Sequence, residues 1–152
     1  MYIREAIFQN LVTTMQGITY AAGYDTNVAK VTRRFKTHDE VTKFAHVCVL
    51  ASASPIRHMD SNEMFEADLG FTIIGYVRTS RDISESGLVS QAVESLIGDT
   101  IKAIYADFHR GNTEHVDETV IESIDPYYDW EKNIGVMVLT GHVLYHTDFS
   151  NP

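Results

Sequence analysis

The side chains able to do chemistry in this sequence are seven histidines, one cysteine and twenty-one carboxylates. His142 and His146 lie four apart. On a strand they share a face but stand about 13 Å apart along it, so one ion cannot bridge them. His109 and His115 flank a loop with Glu114 and Asp117 beside them. They form a loose set of possible metal ligands, and equally read as surface histidines among acids. No HExxH segment and no cysteine pair is present. Cys48 sits in the apolar run HVCVLA, where burial disfavours the reactive thiolate. Asp125 and Asp129 bracket PYY, and two carboxylates can share acid–base work. In a Pro-containing segment they equally serve turn chemistry. GxSxG is absent. The stretch GITYAAGYDT, residues 17–26, lacks the GxxxxGK[ST] spacing, and it follows a helix and precedes a strand, the reverse of a phosphate loop. The expectation is no enzyme, no catalytic residue, no metal and no cofactor.

Charge and aromatic patterning point to contacts instead. The net charge is −9, which disfavours nucleic-acid wrapping. Lys30, Arg33, Arg34, Lys36, Lys43 and Arg57 are half of the twelve cations. Residues 107–131 hold eight acids against Arg110 alone. Such asymmetry suggests a basic and an acidic face. Tyr127, Tyr128 and Trp130 crowd one predicted loop, DPYYDWEKN. Tyr and Trp are enriched at interface hot spots, although these three can also fold back over the sheet end. The candidate contact residues are therefore Lys30, Arg33, Arg34, Lys36, Arg57, Tyr127, Tyr128 and Trp130.

The elements that must position them follow from periodicity. Ile3, Ile7, Leu11 and Met15 recur every four residues, predicting a helix over 3–17 that Gly17 ends in a left-handed cap. Residues 19–26 read as a loop, with Gly23 supplying a turn conformation and Tyr24 anchoring the corner on the core. Strands are predicted at 28–35, 46–51, 64–79, 119–124 and 134–145. The strand over 64–79 alternates most clearly and is long enough to require a bend at Gly70 or Gly75, or a projecting end. Residues 52–63 read as a loop carrying Pro55, and 80–86, SRDISES, as a turn with helix-start chemistry. A second helix is predicted over 88–108. The expected fold is α+β: one domain over 1–152, a mostly antiparallel sheet of four to five strands, and two helices packed on one face. The N-terminus MYIREAIFQN does not read as a signal peptide, and no stretch approaches a membrane span.

Several of these residues together resemble a known family. An amphipathic first helix leads to Gly17, Ile18, Thr19, Ala22, Gly23, Tyr24 and Thr26, then to Val28, Val31 and Arg33 in a V-x-x-V-x-R strand. A later helix carries DTIKAI, residues 99–104, and the last strand closes as VLYHTD, residues 143–148. This layout, spanning nearly the whole chain, is similar to the small tail terminator and tail completion proteins of long-tailed bacteriophages. One departure is FAH at 44–46, where a proline is expected before the second strand.

The resemblance implies a structural virion protein. It would form a homo-oligomeric ring, usually of six subunits, that caps the head-proximal end of the tail tube, stops its polymerisation and joins it to the head neck. Its partners would be the tail-tube protein and the head-neck or connector proteins. Genomic DNA would pass through the lumen without specific binding, and no membrane would be involved. The protein would be made in the host cytoplasm and end in the tail or neck of the virion. A head-to-tail ring needs two unlike complementary patches, for which the basic segment around Arg33 and Arg34 and the acidic segment 114–131 are candidates. The alternatives are another neck ring (head-closure or sheath-end protein), a small metal-dependent enzyme using residues 109–129, and a module that pairs an edge strand with a peptide.

Overall fold

The computed structural model describes residues 1–59, 64–80 and 87–152. The order is α1 (Ile3–Gln16), a 3-10 turn (Tyr20–Ala22), β1 (Lys30–Thr32), β2 (His46–Ala51), β3 (Ile56–Met59), β4 (Met64–Arg78), α2 (Leu88–Ala106), β5 (Val116–Asp129) and β6 (Ile134–Asp148). The fold is α+β. Six strands form one open sheet in the order β1-β2-β4-β6-β5, with β3 pairing on β4. Only β1 and β2 run parallel; the other ladders are antiparallel.

Period-two patterning sorts the two faces. On β4, Phe65, Ala67, Leu69, Phe71, Ile73 and Val77 join the core. They share it with Met137, Leu139, Val143 and Tyr145 of β6, and with Ile7, Leu11 and Met15 of α1 and Val93, Leu96 and Ile104 of α2. Both helices therefore pack on one face, α1 over β1 and β2, α2 over β4, β5 and β6. Each fully buried side chain of this kind contributes about 1.5–3 kcal/mol. The opposite face has a smaller apolar cluster of Val41, Cys48 and Tyr76, with Phe44, Leu50, Ile74 and Val136 against it. Residues 33–45 thus cross that face at one end of the sheet. The Tyr76 hydroxyl fixes the crossing by donating to the Lys36 carbonyl at 2.5 Å.

Several sequence expectations are corrected. The sheet has six strands rather than four to five; the sixth, β3, lies in the predicted Pro55 loop, where four residues give too short a pattern to read. β1 is three residues, not eight, because the chain leaves the sheet edge at Arg33 to cross the second face. The ladder of β4 with β6 runs from Met64↔Asp148 to Arg78↔Ile134 in unbroken register, so neither Gly70 nor Gly75 interrupts the pairing. The glycines of this sheet serve close approach instead. At Gly135 a β-carbon would occupy the space of the Val93 side chain of α2. Gly17 ends α1 with right-handed angles, φ −77° and ψ −7°, rather than in a left-handed cap. Its N–H still reaches the Thr13 and Thr14 carbonyls. The turn expected over 80–86 lies, from 81 onward, outside the described residues. The departure at 44–46 leaves β2 in the expected place, and the Phe44–Ala45 peptide there is cis.

Candidate functional site

Two of the three segments that carry the family resemblance, residues 17–33 and 99–104, touch each other. Gly23 follows the 3-10 turn at φ 86°, a left-handed conformation that favours glycine. It directs residues 24–26 towards α2. There the buried Asp99 carboxylate accepts from the Thr26 N–H at 2.6 Å and the Asp25 N–H at 3.3 Å. One helical turn on, the Lys102 ammonium donates to the Gly23 carbonyl at 3.3 Å and lies 4.8 Å from the Tyr24 ring centroid. Tyr24 packs against the core, as expected. Asp99 and Lys102, three apart on one helix face, clasp the loop. Both Asp99 oxygens are thereby engaged by the loop backbone.

Lys30 lies on β1 and Arg33 just beyond it, Arg34 and Lys36 follow where the chain leaves that edge to cross the second face, and Arg57 sits apart. Arg33 is engaged within the subunit. Its guanidinium donates to both Glu5 oxygens, at 2.6 and 3.1 Å, and lies 4.5 Å from the Phe8 ring centroid. The hydrogen bonds from Arg33 hold the Glu5 carboxyl below its ordinary pKa. Arg34 is open: its side chain is 82% exposed, with Glu40 4.0 Å away. Lys30 and Lys36 have no ion-pair partner within 4 Å among the described residues. Both flank His46, whose imidazole is buried against Thr32 (3.0 Å). Burial first, then the charges of Lys36 and Lys30, push the His46 pKa down and favour its neutral form. Arg57 sits on β3, donating to Asp68 at 2.7 Å.

The aromatic candidates lie at the other margin. The predicted loop 125–133 is mostly strand: β5 continues to Asp129 and contains Pro126, Tyr127 and Tyr128. Proline is admitted because β5 is an edge strand, whose outward side needs no donor. Tyr127 points to the second face opposite Val136 and is 57% exposed. Tyr128 points to the helix face and stacks on Trp130 of the turn, centroids 4.7 Å apart. Acids line the same strand: Asp117, Glu118, Glu122, Asp125 and Asp129. Sequence reasoning missed how residues 36–44 reach this margin. Lys132 donates to Asp39 at 2.8 Å, and His38 lies 3.7 Å from Asp129. The hydrogen bond from Lys132, with His38 second, lowers the Asp39 pKa. Neither pair shows a spacing signal, since the partners are far apart in sequence.

The histidines at 115, 142 and 146 fall into two small groups. His142 bonds Glu122 at 2.5 Å and lies 3.9 Å from Asp68. His146 bonds Asp117 at 3.1 Å. His115 bonds the His146 carbonyl at 3.1 Å. Among the described residues no group of three or more His, Cys, Asp or Glu is placed to hold a metal ion. Nor is any helix among them long and apolar enough to cross a membrane. Cys48 is buried.

No protein-family model and no curated protein matches this sequence. Among solved structures, one similar chain belongs to the virion of a native gene transfer agent (GTA) particle. The two share 8% identity and a TM-score of 0.49, over 96% of each chain.

Proposed function

We propose that this chain is a structural virion protein. It assembles as a ring of six copies at the head-proximal end of a phage tail tube, ends the tube's growth and joins tail to head neck. One observation carries the reading beyond the sequence resemblance. Lys30 on β1, with Arg34 where the chain leaves that edge, and the row of acids on β5 lie toward opposite margins of one open sheet, β1 and β5 being four strand spacings or about 19 Å apart. A subunit with unlike, complementary margins associates head to tail, and closing that contact makes a ring. The clasp between residues 23–26 and α2 supports the same reading, since two of the three segments of the resemblance serve one structural feature. The net charge of −9 suits a ring through which DNA slides without binding.

The test is a pull-down of purified chain on assembled tail tubes, with the mass of the unbound protein measured alongside. Capture at tube ends, together with a ring-sized species, is the expected result. A monomer that ignores tubes sinks the proposal. Capture by neck proteins without tube binding moves the chain to another neck ring.

A further inference from the structure

We infer that neighbouring copies meet through side chains on the sheet face opposite the helices. Lys30 and Arg34 of one copy face Asp125 and Tyr127 of the next, with Trp130 at the turn just beyond β5. This rests on the ring reading and names its contact.

Three observations lead there. First, internal pairing already occupies Arg33, Arg57, Glu122, Asp117 and Asp129. Lys30, Lys36 and Asp125 have no ion pair within 4 Å among the described residues, and Arg34 reaches only Glu40, at 4.0 Å. The remaining free groups are thus cationic at one margin and anionic at the other. Tyr127 and Trp130 add exposed rings on which a guanidinium can stack.

Second, Lys30, Asp125 and Tyr127 share a face. Lys30 pairs with His46, and His46 with Tyr76 of the second-face cluster. Asp125 pairs with Val138 and Tyr127 with Val136, on that same face. Rotation about a ring axis keeps this face turned the same way in every copy, so the margins meet cation to anion. A two-fold axis instead brings like margins together, lysine to lysine or acid to acid, which like-charge repulsion opposes.

Third, the β5 edge is guarded against strand pairing. A bulge interrupts the register between Ile121 and Ser123. The Ile121 N–H is taken by the Tyr105 hydroxyl at 3.2 Å, and Pro126 has no N–H to offer. These are devices that block edge-to-edge sheet extension. They also argue against a module that captures a peptide strand there. The contact is therefore made by side chains.

Charge exchange tests the contact. Arg34→Glu and Asp125→Arg alter exposed groups, so each variant should melt with the wild type. Each alone should raise the concentration for half-assembly by about tenfold or more. An equimolar mixture of the two variants should recover wild-type assembly. In an alternating ring the two reversed charges face each other at one contact, and the two native charges do so at the next. Assembly unchanged in either single variant, or not recovered in the mixture, overturns the contact while leaving the ring standing. A Cys pair, Arg34→Cys with Asp125→Cys, provides a trap for weak association, and should yield a head-to-tail covalent ladder on oxidation. A wild type with no oligomer and a Cys pair with no ladder overturn both contact and ring.

Discussion

Asp99 shows how one side chain decides the course of a loop. Its carboxylate accepts from the backbone N–H groups of residues 25 and 26, of which Thr26 is buried. Asp99→Ala should cost about 1.5–3 kcal/mol, the loss expected when the backbone donors it holds lose their acceptor. Urea unfolding should show this as a lower midpoint at unchanged slope; an unshifted midpoint refutes the clasp. His46 gives a second residue-scale prediction. Its folded pKa lies below the ordinary 6.5, so in acid the unfolded chain binds the proton more readily. Stability should therefore be full above about pH 6.5 and fall as pH drops towards the lowered folded value. In His46→Gln, the loss between pH 7.5 and pH 5 should be smaller than in the wild type, and an equal loss contradicts the assignment. At this scale the sequence was legible where a residue acts locally: Gly23 and Tyr24 do what their types suggest. It was not legible for Arg33, whose partner Glu5 is 28 positions away. Its reversal with Arg34 to Glu would disturb the α1 packing as well as any subunit contact.

At the scale of elements, the helix–sheet spacing rests on glycines that keep the sheet face flat under α2. Gly135→Ala pushes a methyl into Val93 of a β-branched, stiff helix face. It should destabilise by about 1–3 kcal/mol, and Val93→Ala in the same chain should restore part of that. Equal stability of wild type and Gly135→Ala in thermal melts would mean that α2 does not sit that close. Helices, β2, β4 and the start of β6 were legible because their apolar periods are long and regular. β5 was read short because Asp125 and Pro126 mark turns in most settings. At a sheet edge the outward N–H is dispensable, so the strand passes through them. β3 was invisible because its place is set by β4, not by its own four residues.

For the whole molecule, charge asymmetry is visible in the order of residues, but its geometry is not. Only the strand order puts Lys30 and the acids of β5 at opposite margins, and only the register puts Lys30, Asp125 and Tyr127 on one face. Of the eight predicted contact residues, Arg33 and Arg57 prove engaged inside the subunit, and Tyr128 turns to the helix face to support Trp130. Self-association, rather than a pocket, is then the property on which the proposed function turns. The mass of the purified wild-type chain in solution, measured by sedimentation over a wide concentration range, tests this most directly. A single closed species of about six subunits, its size unchanged as concentration rises further, is the predicted result. A two-fold dimer, or a chain monomeric throughout that range that also stays monomeric when mixed with tail tubes, would contradict it.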